Sequence, residues 1–387
     1  MEIAGRNEVV LHKKRIASID ILRGLVMLLM TVDHVRERFF YHLNVSDPMD
    51  IDTTSPQLFF TRITAHFCAP VFVFLTGLSA WLYANPPGKS SRSATGFLFK
   101  RGVFIIFIEI AVINWLWSGT YQTLWLQVMW AIGISMVFLS LLSKLPAKAI
   151  LLLGFTIVFG HNLLSPITFD PSDTGYALWS FLHQKGFIYT SEVFRIKISY
   201  PVLPWIGVIL LGFSMGPVYA QSMQSQTRKK VLLTSVCSMW MLLILLRSTN
   251  FYGEPNLFEV QENTIQTVMS FINFTKYPPS LDFLLFTLAG AFLVLYLLEN
   301  VDNRLSKWVE TFGSAPMFYY IVHLTVLLVS YRVALAIMGP NYGDMLVFGD
   351  LWQVWFVAAI LVCLLYVPTK AFSAFKRQSK NPLIKYF

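Results

Sequence analysis

Residues 18–37 read SIDILRGLVMLLMTVDHVRE. A bilayer core is crossed by about 20 mostly apolar residues rising about 1.5 Å each, and this stretch is long enough. It nevertheless carries Asp20, Arg23, Asp33 and His34. Ionisable side chains in hydrocarbon cost a few kcal/mol even on mild insertion scales, so a spanning helix that keeps them turns them towards protein or a cavity. Arg23 and His34 are eleven residues apart, which at about 100° per residue returns the two side chains to within about 20° of each other, about 16 Å apart along the axis. Asp20 lies on the same stripe, three residues before Arg23 and placed to pair with it. Asp33 lies about 100° round the helix from His34 and is not its natural orienting partner.

The pattern recurs outward from this segment. Further apolar runs lie near 66–84, 102–118, 123–142, 147–163, 201–220, 231–247, 281–299, 313–338 and 351–368. With 19–39 they predict an all-α polytopic integral membrane bundle of about ten transmembrane helices. The composition agrees: 55% of the 387 residues are hydrophobic and 13% charged, against roughly 25% charged in a soluble domain. The mean hydropathy is +0.58. The net charge of +9 is spread in short runs between apolar segments, so it sets topology and does not point to nucleic acid. Lys13, Lys14 and Arg15, then Lys89 to Arg101, Lys144 and Lys148, Arg228 to Lys230, Arg304 and Lys307, and the tail from Lys370 to Lys385 all fall on one side if the count is ten. The acidic residues Asp47, Asp50, Asp52, Asp170, Asp173, Glu254, Glu259 and Glu262 fall on the other. The positive-inside rule then makes both termini cytoplasmic, with a cytoplasmic segment at 1–18, a transmembrane domain at 19–368 and a basic tail at 369–387. Cys68, Cys237 and Cys363 sit in apolar runs without ligand spacing, so neither disulfides nor a metal site is expected. Three long outer loops, near 40–65, 164–200 and 248–280, are expected to overlie the bundle.

The stripe on the first helix suits a thioester donor made in the cytoplasm. Arg23 at the inner end takes phosphate oxygens in its planar fork, joined by Lys100 and Arg101 at the same mouth. The donor's arm then runs towards His34, an imidazole able to deprotonate an acceptor at working pH. His66, four residues before Pro70, and His323, with Tyr319 and Tyr320 on its face, are further catalytic candidates. Lys276 and Tyr277, held by the two prolines of TKYPPSLDF at 275–283, are candidates for the acceptor side, as are Tyr319 and Tyr320. Glu109, Asn114 and Gln127 read as interhelical hydrogen-bonding groups, with His161 and Asn162 as further candidates, and Gly77 as a close-packing position.

The SIDILRG segment, with its histidine eleven residues after the arginine, resembles the first helix of membrane acyltransferases that acetylate envelope polysaccharides. There the corresponding histidine is held to be catalytic, which implies His34. The pieces DHVRERFF (33–40), HFCAPVFVFLTG (66–77), LQVMWAIGISM (126–136), YPVLPWIGVILLG (200–212), TKYPPSLDFLL (275–285) and GSAPMFYYIVHL (313–324) resemble bacterial relatives of heparan-alpha-glucosaminide N-acetyltransferase. In that enzyme the proposed catalytic histidine lies after the first helix, nearer to His42 here, so the resemblance leaves His34, His42 and His66 open. It implies acyl transfer, acetyl above all, from acyl-CoA as co-substrate to a hydroxyl or amine of an extracytoplasmic glycan or lipid. It also implies residence in the bacterial inner membrane, and it leaves homo-oligomerisation open. The alternative reading is a transporter or carrier whose permeation path the polar stripe lines.

Overall fold

The computed structural model describes residues 2–381 and 383–387, and of residues 2–16 and 385 the backbone alone. The charged groups of Lys13, Lys14, Arg15 and Lys385 therefore lie outside the description. The chain runs α1 (Glu2–Phe39), α2 (Pro56–Thr64), a 3-10 turn (Ala65–Phe67), α3 (Cys68–Ala84) and α4 (Thr95–Ile108). A π-turn (Glu109–Ile113) carries α4 on into α5 (Asn114–Ser118). Then come β1 (Thr123–Leu126), α6 (Val128–Leu142), α7 (Ala147–Gly160), α8 (Tyr176–Leu182), β2 (Gly186–Thr190) and β3 (Arg195–Ile198). The remainder is helical: α9 (Leu203–Ser214), α10 (Ser225–Thr249), α11 (Thr264–Ile272), α12 (Leu281–Leu298), α13 (Arg304–Ser314), α14 (Pro316–Met338) and α15 (Leu351–Gln378).

The chain is a helical membrane protein. Among the described residues, six helical stretches are long and apolar enough to cross a bilayer: Pro56–Ala84, Ala147–Leu164, Ser225–Thr249, Leu281–Leu298, Pro316–Met338 and Leu351–Gln378. The other expected spans correspond to α1 and α4–α5, which carry charged side chains, and to Val128–Leu142 and Leu203–Tyr219, which are apolar but shorter.

Three expectations need correction. The chain is not wholly α, because β1, β3 and β2 form a small sheet in that order, β1 parallel and β2 antiparallel to β3. Helix therefore does not begin at 123. Gln127 is not helical, with φ −110° and ψ −146°, and its N–H donates to Glu109 Oε1 at 3.2 Å, so α6 starts only at Val128. The run expected as one helix from 313 is broken at Ala315, with φ −136° and ψ 57°. Pro316 clashes with helical backbone at the residue before it and is itself suited to a first helical turn. The outer stretches are also not plain loops, since they contain α2, α8 and α11.

The chain forms two compact units, Met1–Cys68 with Gln261–Met269 and Val294–Phe387, and Ala69–Val260 with Ser270–Leu293. In the first, α1 packs against α2, α13, α14 and α15. Its approach to α13 is so close that a Cβ on Gly313 would lie 1.8 Å from the Asp20 carbonyl oxygen, and one on Gly24 2.1 Å from that of Val309. In the second, α4 packs on α6, α6 on α9 and α7 on α9. Gly77 meets α9 there as expected, a Cβ falling 2.1 Å from the Ile209 carbonyl oxygen.

Candidate active site

Because α1 continues unbroken past His34, its polar stripe reaches α14 within the first unit. His34 Nδ1 lies 2.7 Å from His323 Nε2, and His323 Nδ1 lies 2.8 Å from the Tyr319 carbonyl oxygen. A carbonyl only accepts, so His323 carries its proton on Nδ1 and, when neutral, presents a lone pair at Nε2. His34 Nδ1–H then donates to that lone pair, and the neutral His34 keeps its own lone pair on Nε2. The ring order is thus set from the backbone of α14 outward, the same logic by which one nitrogen of an imidazole is fixed by what the other bonds. His323 is fully buried and His34, also buried, is 9% exposed, so His34 is the less enclosed member of the pair.

The aromatic residues hold the pair. The Tyr319 ring lies nearly parallel to His323, centroids 5.3 Å apart. Its hydroxyl is 2.7 Å from Thr31 Oγ1, and since Thr31 donates to the Met27 carbonyl, the phenol is the donor. Tyr320 presents its ring edge-on to both histidines, at 5.7 and 5.4 Å. Sequence spacing thus correctly grouped Tyr319, Tyr320 and His323, and the fold adds His34 and Thr31 to them.

Immediately before His34 in the chain, Asp33 turns away from it and accepts from two guanidinium groups, Arg36 at 2.9 Å and Arg62 of α2 at 2.7 Å. All three side chains are buried. His66 is buried in the turn after α2, which packs on α1 and is fastened to it by Cys68 Sγ donating to the Val26 carbonyl. His42 is half-buried between the rings of Phe40 and Tyr342, at 4.7 and 5.4 Å.

At the other end of the stripe Arg23 pairs with Asp20 at 2.5 Å, as the spacing required. It also donates to the Gly313 carbonyl at 3.1 Å. Lys376 of α15 donates to the next carbonyl, Ser314, at 3.3 Å. Both cations sit on the carbonyls that end α13, where the helix dipole is negative. Lys376 was beyond sequence reasoning, which saw only a basic tail.

Lys100, Arg101, Lys276 and Tyr277 belong to the second unit. Lys100 is exposed and Arg101 half-buried on α4. Lys276 is 4% exposed, not a surface cation, with Nζ 5.2 Å from the Tyr277 ring, and the Tyr277 hydroxyl bonds that of Tyr200 at 3.2 Å. Asn162 caps α12 by accepting from the Leu281 N–H at 2.9 Å. His161 meets His183 at 3.3 Å, and burial lowers the basicity of His183. An unforeseen network fixes the stretch before α12. Glu254 accepts from the Thr275 N–H and from the Thr275 and Ser280 hydroxyls, its carboxyl held above the usual range by burial despite these donors. Among the described residues no cluster of three or more His, Cys, Asp or Glu side chains could hold a metal ion.

No curated protein matches the chain significantly. The family model described as heparan-alpha-glucosaminide N-acetyltransferase, catalytic, matches residues 15–252. That stretch includes His34 and His66, while His323, Tyr319 and Lys376 lie beyond it. With more than half of its length matched in this way, the chain belongs to the heparan-alpha-glucosaminide N-acetyltransferase catalytic-domain family.

Proposed function

We propose that the protein transfers an acyl group, acetyl in the first instance, from acyl-CoA to a hydroxyl or amine of an extracytoplasmic glycan or lipid, with His34 as the general base. The observation that carries this reading is the chain of contacts from the Tyr319 carbonyl through His323 to His34, which with both rings neutral leaves the lone pair of His34 on Nε2. His34 Nε2 removes the acceptor's proton as its oxygen or nitrogen attacks the thioester carbonyl. The C–S bond breaks, the sulfur leaves as thiolate, and the imidazolium returns the proton to it. During the step His323 accepts from the His34 Nδ1–H, so the positive charge on His34 is met by a lone pair. His323 is in this sense a positioning residue, and His66 supports α1 from the neighbouring turn. Arg23 and Lys376 are proposed to meet the donor's phosphates. Lys100, Arg101, Lys276 and Tyr277, which belong to the second unit, stay outside this assignment.

The reading takes the spans as ten with both termini in the cytoplasm of a bacterial inner membrane. It is supported by the six long apolar helices together with α1, α4–α5, α6 and α9, and by the alternation of loop charge. Cysteines introduced at Ser225 and Ser306 are expected to react with impermeant reagent from the cytoplasmic face alone. Labelling from opposite faces would overturn the topology.

The reaction class is tested on purified protein. It is expected to release free CoA slowly from acetyl-CoA without an acceptor, which a carrier would not do. Arg23→Gln is expected to raise the KM for acetyl-CoA about ten-fold with kcat little changed, the loss of a charge-assisted contact made equally in ground and transition states. An unchanged KM in protein that remains monodisperse removes Arg23 from the donor site.

A further inference from the structure

In the second unit the apolar surface of α10 runs on past the end of the helix. Trp240, Met241, Ile244 and Leu245 are exposed and recur at the three- and four-residue spacing of one helix face, which on a span of a helical membrane protein is the face towards lipid. Asn250, left-handed with φ 51° and ψ 26°, ends the helix. The loop that follows nevertheless shows Phe251, Leu257 and Val260 at 85%, 55% and 79% exposure. Apolar groups gathered on a loop in this way mark a contact surface.

The backbone of the same loop is saturated from within. Asn250 accepts from the Phe258 N–H and donates to the Phe258 carbonyl, both at 2.8 Å, which closes the loop and draws the segments carrying Phe251 and Leu257 together. Arg247, 1% exposed, donates to the Asn256 carbonyl and to those of Phe271 at 2.9 Å, Ser270 at 2.6 Å and Asn273 at 3.4 Å. Asn256 Nδ2 donates to the Asn273 carbonyl at 2.9 Å. Glu254 takes the Asn256 N–H at 3.0 Å, and the Ser270 hydroxyl takes that of Glu259 at 3.0 Å. Loops in water leave such groups to solvent, whereas irregular backbone at membrane depth is tolerated only where protein satisfies it. A buried arginine turned onto four carbonyls suits a loop out of reach of water.

We propose that loop 250–260 is seated in the bilayer, with Phe251, Leu257 and Val260 among the acyl chains just beneath the headgroups and Glu259 at headgroup level. The partner is lipid because the patch continues the lipid-facing stripe of α10, and apolar area gains by leaving water. A lid bathed in water would leave both the exposed Phe251 and the saturated backbone without a purpose. The proposal goes beyond the acyl-transfer reading and does not depend on it. The topology proposed above decides only that the leaflet is the outer one.

The test uses spin labels on Phe251→Cys, Leu257→Cys and Val260→Cys, one at a time, in full-length protein whose exposed Cys237 and Cys363 are replaced by serine. The parent protein, with Cys68 alone, gives the background. In phosphatidylcholine vesicles, collisions with oxygen, which concentrates among acyl chains, are compared with collisions with a water-soluble nickel chelate. Ile244→Cys is the lipid reference, and Ser172→Cys, at an exposed position, is the water reference. The oxygen-to-nickel ratio at the three loop positions is expected to exceed that of Ser172→Cys about three-fold or more and to approach that of Ile244→Cys. Arg247→Gln is expected to lower the ratio at Leu257→Cys towards the water reference and to leave Ile244→Cys unchanged. No readout depends on turnover, so acyl transfer is judged separately. The proposal is overturned if the loop labels are as open to the nickel chelate as Ser172→Cys. It is likewise overturned if they are shielded from both probes in vesicles and in detergent alike, which would make a second copy of the chain the cover.

Discussion

His34→Ala is expected to lower kcat for acetyl transfer by about 10² to 10⁴, the usual worth of general-base help, with the KM for acetyl-CoA little changed. His34→Gln should be nearly as poor, because an amide keeps hydrogen bonds but cannot carry the proton. His323→Ala should cost less and act differently. Without the ring that accepts from Nδ1, His34 is no longer held to one tautomer and its imidazolium loses its partner, so the acidic limb of the kcat–pH profile should move to lower pH, because an imidazolium without that acceptor is harder to form. A simple packing role for His323 would reduce the amount of folded protein without moving the profile. If His34→Ala turns over like wild type while His42→Ala or His66→Ala is inactive, the base is that other histidine and the stripe on α1 has another purpose.

Asp33→Ala should be the most damaging substitution for stability in the first unit. The carboxylate is shared by Arg36 and Arg62 with all three groups buried. Removing one member of a buried ionic cluster leaves uncompensated charge and typically costs about 3–5 kcal/mol. The pairing also ties α2 to α1, so the loss should loosen the turn that carries His66. Thermal unfolding in detergent is expected to show a large fall in midpoint for Asp33→Ala and partial recovery in Asp33→Ala with Arg62→Met, which removes one orphaned cation. Equal midpoints for wild type and Asp33→Ala would mean that solvent reaches the cluster.

The sequence made some of this legible and hid the rest for physical reasons. A spanning helix needs only length and apolarity, so the long runs were visible, and the pairing of Asp20 with Arg23 followed from spacing within one turn. The contact between His34 and His323 joins residues 289 apart, and no local periodicity encodes which face of α14 meets which face of α1. The same is true of Lys376 beside the end of α13. The sheet was missed because its strands are four or five residues long, too short for alternation to compete with the helical run that follows β1. Asn114 and Gln127 were read as interhelical hydrogen-bonding groups. Asn114 instead serves a strand, which the fold alone reveals.

That use of Asn114 bears on how the protein behaves at high density in a membrane. A short sheet ends in rows of unpaired amides and carbonyls, which recruit strands from neighbouring molecules and seed aggregation. Here the carboxamide occupies the donor and acceptor of Trp125 on the side where a further strand would add. The opposite border, along β2, shifts register between Phe187 and Tyr189, and such irregularity spoils a flat template. With one margin blocked by a side chain and the other kinked, crowded copies have little means of zipping together edge to edge.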